Sequence, residues 1–312
     1  MSLAMTPQQR ADFDEQGFVI LEDFLTPAEL ERLLAAIDEV AAEVRTVQGL
    51  GPNDPFAVRN ALSHHDAFLD LIDHPRMLPL VVDAIGWNIQ IRTTHLDYRP
   101  PYPEGIQPGA LGVGDGGDQE VGYRNLSWHP DLASDSLFMA PSLDGRLPFM
   151  EIKVFYVLSD LSESQSGNLW LVPGSHLRSP SELREMGRQV DPSEALELRL
   201  KPGAAVLWRT AVWHCVGPNL SNRTRKIMHV GYNYRWLRPT DYITQDQALV
   251  DRSSPIRKQL LGALASGGDP LGNDSAFHPS SQYWLTKSDE DVPLRSWAEA
   301  RVETEGDIPV HL

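Results

Sequence analysis

The chain has 312 residues, 41% of them apolar and 22% charged, with a formal net charge of −16. That length fits one large domain or two small ones with a substantial core. The acidic balance argues against nucleic acid and membrane as partners, no apolar run reaches the roughly 18 residues of a membrane span, and a single cysteine, Cys215, excludes a disulfide framework and a multi-thiolate zinc site.

The opening residues, Met1-Ser2-Leu3-Ala4-Met5, lack the basic and apolar stretches of a signal peptide, and Met5 is a candidate natural start. Together with the lone thiol this suits a reducing cytoplasm. Residues 12–44 read as largely helical, interrupted by a short apolar strand at Gln16-Gly17-Phe18-Val19-Ile20. Thr26-Pro27-Ala28-Glu29 has the form of an N-cap, a first-turn proline and a capping-box glutamate. Leu30, Leu33, Leu34, Ile37 and Val40 follow at helical spacing. A second helix is expected from about Asp66 to Ile85, stopped by Gly86.

From Ile89 the texture becomes β-like. Strand candidates are 89–98, 126–129, 151–158, 168–172, 196–200, 204–208, 212–216 and 225–236, punctuated by Gly, Pro, Asn and Asp. Many short strands with such turns point to a sandwich or barrel. The 100–122 stretch is a long Gly/Pro/Asp-rich loop, of the kind that is functional or disordered. Residues 237–312 read as a polar extension around the core, and no repeat or low-complexity tract is present. One domain is expected: a helical part at 12–86, a β core at about 87–236 and the extension.

Three His-x-Asp triplets occur, His64/Asp66, His95/Asp97 and His129/Asp131. Chance alone gives on the order of one, so context must separate them. On a strand, residues i and i+2 share a face. A histidine and an aspartate so placed can hold one metal ion, and a histidine from a facing strand completes a 2-His-1-carboxylate triad with open positions. His64/Asp66 sits at a helix entrance, where i and i+2 diverge; the other two triplets lie in or beside strand-like sequence.

Trp128-His129-Pro130-Asp131 follows the long loop, and Asn168-Leu169-Trp170-Leu171-Val172-Pro173-Gly174-Ser175-His176, Trp213-His214 and Arg225 come after it. This ordered set resembles the phytanoyl-CoA dioxygenase family of iron(II)/2-oxoglutarate oxygenases over roughly residues 12–236. The resemblance implies a mainly β fold with flanking α-helices around a double-stranded β-helix (jelly roll, cupin-like) core. It implies His129, Asp131 and His214 as ligands of Fe(II), Arg225 as the grip on the distal carboxylate of 2-oxoglutarate, and O2 as second co-substrate. A planar guanidinium can fork onto a carboxylate, which lysine cannot do. His95, Tyr156 and Arg59 match positions lining the co-substrate pocket, although His95 and Tyr156 read equally well as core residues and Arg59 as a solvated charge. Val216 departs from relatives that carry a hydroxyl there. His176 reads as a turn histidine bonded to backbone, and Cys215 as a small buried apolar residue.

The implied reaction is oxidation of an unactivated C–H bond, most simply hydroxylation, with 2-oxoglutarate converted to succinate and CO2. Halogenases of the family replace the aspartate by a small residue, so Asp131 argues against halogenation. No basic cluster that would meet an acyl-CoA is evident, which leaves a small molecule, with a role in specialised metabolism, as the expected substrate. Tyr102, Tyr123 and Arg124 are expected at the pocket mouth, with Arg235 and Trp236 across from them. A cupin-like metalloenzyme that does not use 2-oxoglutarate and a non-catalytic jelly-roll binding module remain open, and no oligomeric state is specified.

Overall fold

A computed structural model describes residues 5–102, 128–131, 149–179, 182, 193–263 and 292–305. Helix α1 spans Pro7–Glu15 and starts earlier than the sequence pattern suggests. Thr6 accepts from the Gln9 amide while the Gln9 side chain accepts from the Thr6 amide, and Pro7 is the first helical residue. Gly17, at φ +91°, turns the chain into strand β1 (Phe18–Leu21). The expected capping box opens α2 (Pro27–Gln48), and Gly49 stops it in the left-handed region at φ 66°.

The second expected helix is a correction. It divides into α3 (Asp66–Leu69) and α4 (Leu78–Ile85), with turns between them. Pro75 disfavours the α conformation at His74 and lacks the amide that would continue the ladder. A strand absent from the sequence reading, β2 (Phe56–Arg59), precedes α3.

Strands β3 (Ile89–Arg99), β4 (Glu151–Val157), β5 (Leu169–Leu171), β6 (Leu196–Glu197), β7 (Ala205–Arg209), β8 (His214–Val216) and β9 (Arg225–Tyr234) follow near their expected places. Of the expected strand at 126–129, residues 126 and 127 lie outside the described residues, as do Tyr123, Arg124 and most of the long loop. The C-terminal segment holds α5 (Gln247–Asp251), α6 (Pro255–Leu260) and α7 (Pro293–Glu305), whose Leu249, Leu260 and Leu294 join the core. It is therefore more structured than its weak pattern suggests.

All named pairings are antiparallel. A six-stranded sheet runs β1-β7-β4-β9-β3-β2, and a three-stranded sheet runs β6-β5-β8. Period-two alternation gives the large sheet two buried faces. Ile152, Val154, Tyr156, Leu207, Val230 and Tyr232 share a core with Leu33, Ile37 and Val40 of α2. Phe155, Val157, Val206, Trp208 and Ile227 instead share one with Leu169 and Leu171 of the small sheet. The site lies on this second, inter-sheet side. Among the described residues no helix is long and apolar enough to cross a membrane.

Candidate metal centre

His129 and His214 face each other across an antiparallel bridge, each amide donating to the other's carbonyl at 2.9 Å. Two residues on, the Asp131 amide donates to Thr210 O at 3.0 Å, so the His-x-Asp segment runs alongside the approach to β8. The register brings the imidazoles to a centroid separation of 4.6 Å. One ligand atom from each of His129, Asp131 and His214 lies within 4.8 Å of the others.

The protonation states suit a cation. The His214 Nδ1–H donates to Val212 O at 2.9 Å, because a carbonyl can only accept. That fixes the tautomer and leaves the Nε2 lone pair free, 3.5 Å from Asp131 Oδ2. Burial pushes the His214 pKa down to about 4 against the upward pull of Asp131, so the ring is neutral. Burial alone would raise the Asp131 pKa, but Lys153, His214 and His129 outweigh it and hold the carboxyl well below its usual range. Two imidazoles and a carboxylate form the donor set that suits ferrous iron with open positions.

Lys153 was not singled out by the sequence. It projects from β4 with its side chain 7% exposed, and its Nζ lies 2.8 Å from Asp131 Oδ2. Glu151, two residues earlier on the same face, pairs with Arg92. Burial raises the Glu151 carboxyl to about 7 despite the Lys153 and Arg92 cations. Gly231 makes room for both, since a Cβ there would sit 3.1 Å from Glu151 Oε1 and 3.3 Å from Lys153 Cγ. The available signal was two charges at i and i+2 in the otherwise apolar run Glu151-Ile152-Lys153-Val154-Phe155-Tyr156-Val157. Such a pattern reads as a solvated strand face, and here that face is the inter-sheet interior.

Arg225 enters from the start of β9 with a fully buried side chain and pairs with Asp97, which also meets Arg99 Nε at 3.2 Å. Burial would raise the Asp97 pKa, but Arg99 and Arg225 overcome it and keep the carboxylate ionised. The Asp of the second triplet is thus the counter-ion of the arginine, a role that only the pairing of β3 with β9 reveals. At Gly167, with φ +78°, a Cβ would come within 2.6 Å of Arg225 Cδ, so this turn must be glycine for the arginine to lie where it does.

His95 stands opposite His229 in the β3–β9 register, and the two rings stack at 4.0 Å. Arg59 Nη1 donates to His95 Nδ1 at 3.3 Å, and arginine has no acceptor, so the His95 proton resides on Nε2. Burial, then Lys153 and Arg59, push the His95 pKa down to about 3. His95 and Arg59 therefore share the inner face with Arg225.

Tyr156 is a correction. It is wholly buried on the other face of β4, where it packs on Phe24 at 6.0 Å and its hydroxyl donates to Leu71 O at 3.4 Å. Period-two alternation puts its neighbour Phe155, not Tyr156, on the inter-sheet side. Arg235 is also not at a pocket mouth: it is buried and donates to Ala263 O at 3.4 Å. Trp236 stacks on Tyr234 at 6.3 Å. His176 is a turn residue whose Nε2–H donates to Asp14 O at 3.1 Å.

The profile of the phytanoyl-CoA dioxygenase (PhyH) family matches residues 13–227. The chain is similar to a probable alpha-ketoglutarate-dependent hypophosphite dioxygenase of Stutzerimonas stutzeri, with 22% identity over 73% of this chain and 78% of that protein. It is similar to the ectoine dioxygenase of Nocardia farcinica (strain IFM 10152), with 23% identity over 54% of this chain and 50% of that protein. Its fold resembles that of HygX from Streptomyces hygroscopicus, solved with nickel and 2-oxoglutarate bound, with TM-score 0.55 and 18% identity over 80% of this chain and 95% of that one. With the match extending over more than half of its length and across His129, Asp131 and His214, the chain belongs to the phytanoyl-CoA dioxygenase family.

Proposed function

We propose that the protein is an Fe(II)- and 2-oxoglutarate-dependent dioxygenase that hydroxylates an unactivated C–H bond of a small molecule, in one domain with a jelly-roll core and in a reducing cytoplasm. The observation that carries this reading is the convergence of His129, Asp131 and His214 within 4.8 Å at the inter-sheet face. These three residues hold the iron. Arg225 takes the distal carboxylate of 2-oxoglutarate, and His95 with Arg59 lines that end of the pocket. Asp97 pairs with both Arg225 and Arg99, which sets the Arg225 guanidinium at the inner face where the carboxylate would arrive. Bound iron, 2-oxoglutarate and O2 supply the oxidising power, with release of succinate and CO2. The protein supplies position, a buried site and a fixed imidazole tautomer at His214. The matched relatives are described as acting on small molecules, hypophosphite and ectoine.

Iron-dependent succinate release from 2-oxoglutarate, followed by a screen of small metabolites, tests the reading. A metalloenzyme that does not use 2-oxoglutarate binds iron without releasing succinate, and a binding module does neither. Asp131 fills the position a halide needs, so the wild-type enzyme run in chloride buffer is expected to give no chlorinated product by mass spectrometry. Asp131→Gly is expected to be inactive or to consume 2-oxoglutarate without product, since a vacancy alone provides no donors to hold chloride.

A further inference from the structure

The inner face of β9 carries a group that neither metal ligation nor the arginine pair uses. His229 is 6% exposed, and its Nδ1 has no hydrogen-bond partner among the described residues. Buried polar atoms are paired in the great majority of cases, so an orphan of this kind calls for a partner that the described residues do not supply. Three rings hold the imidazole in place: His95 stacks on it at 4.0 Å, and Phe155 and Trp208 meet it edge to face at 5.1 and 5.9 Å. Trp208 also touches the metal ligand His214, at 6.1 Å, so one indole links the metal end of the site to His229. At the other end, the Arg225 guanidinium lies 5.6 Å from the centroid of Phe155, the same ring that His229 meets. Arginine and histidine therefore flank a single phenyl ring on the inner face. Burial, with His95, Lys153, Arg225 and Arg59 around it, keeps the imidazole neutral, and a neutral imidazole always has one N–H to donate.

We propose that His229 is a second residue gripping the distal carboxylate of 2-oxoglutarate, donating its ring N–H beside the Arg225 fork. His95 backs the ring, with its own Nδ1 committed to Arg59. The inference rests on the 2-oxoglutarate reading above. A half-turn of the ring exchanges Nδ1 for Cδ2 without changing its stacking, so either edge can present the donor.

The test is calorimetric titration of nickel-loaded protein, which does not turn over, with 2-oxoglutarate and with 2-oxovalerate, the five-carbon oxoacid lacking the distal carboxylate. His229→Phe keeps the stack and removes the nitrogens. It is expected to retain nickel and to bind 2-oxoglutarate about tenfold more weakly or worse. His229→Asn, whose amide lies near the Nδ1 position, is expected to recover much of the loss. The affinity for 2-oxovalerate is expected to be the same in all three proteins. Equal 2-oxoglutarate affinity in wild type and His229→Phe overturns the proposal, as does a loss that extends equally to 2-oxovalerate. Should His229→Phe fail to fold, ring-nitrogen NMR of zinc-loaded wild-type protein decides: a His229 signal, assigned by its absence in His229→Asn, shifts on adding 2-oxoglutarate but not 2-oxovalerate, and no such shift counts against the proposal. If wild-type protein carrying nickel does not bind 2-oxoglutarate, the co-substrate reading itself falls, an outcome distinct from the others.

Discussion

Asp97 changes what a substitution at Arg225 reports. The pair is buried, and removing one partner of a buried ion pair costs about 3–5 kcal/mol because the other charge is left behind. Arg225→Ala is therefore expected to lower stability as well as 2-oxoglutarate affinity, and the loss of affinity alone cannot be read as loss of a carboxylate contact. Arg225→Ala combined with Asp97→Asn removes the carboxylate left facing Arg99 alone. In denaturant titrations the double variant is expected to regain part of the stability, while its 2-oxoglutarate affinity stays down roughly ten- to hundredfold. Wild-type affinity in the double variant would assign the carboxylate to Arg59 or Arg99 instead. The two strand-borne triplets separate by metal content. His129→Ala and Asp131→Ala are expected to lose iron, and His95→Ala to keep it, because His95 stacks on His229 rather than joining the triad. Iron lost only from His95→Ala would move the centre to the earlier triplet.

At the scale of elements, two backbone devices do separable jobs. The Gly167 turn lets Arg225 lie against β9, and an added methyl meets both an unfavourable φ of +78° and the Arg225 Cδ at 2.6 Å. Gly167→Ala is expected to cost about 1–3 kcal/mol of stability and to weaken 2-oxoglutarate binding while leaving the metal content unchanged. Loss of metal instead would show that the turn supports β8 rather than the arginine. The α2 cap provides the contrast. Thr26 accepts from Glu29 N, and Glu29 reaches on to His74 Nε2 at 3.1 Å, all on the helix-facing side of the large sheet. Thr26→Ala is expected to cost roughly 0.5–2 kcal/mol with no change in metal or 2-oxoglutarate affinity. A binding defect in that variant would couple the helical layer to the site.

For the whole molecule, four histidines, His74, His95, His214 and His229, have pKa values lowered by desolvation. Below the unfolded value of about 6.5 the unfolded chain takes up protons that the fold refuses, so stability falls as pH falls, by up to roughly 1.4 kcal/mol per pH unit for each ring. Glu151 works the other way, since its raised value near 7 lets the fold take up a proton first. Thermal unfolding of the metal-free protein from pH 7.5 down to 5 is expected to show a falling Tm, steeper in Glu151→Gln; a flat profile would mean that the rings are protonated in the fold. The β texture, the capping box at Thr26 and the His129/Asp131/His214 set were legible in the sequence, because turn chemistry, capping and the i, i+2 rule are local and the motif order is carried by the chain itself. The break at Pro75 was legible too, but was outweighed by the apolar run around it. What only tertiary structure decided is which side each strand shows to the site. Tyr156 and Phe155 differ by one position, and alternation fixes that they face opposite ways but not which way is inward. The partners Asp97, Lys153, Glu151 and His229 depend in the same way on strand register between distant segments. In a sheet buried on both faces the sequence carries no polar side to mark the outside, so the choice of face is made by the helices packed on one side and the second sheet on the other.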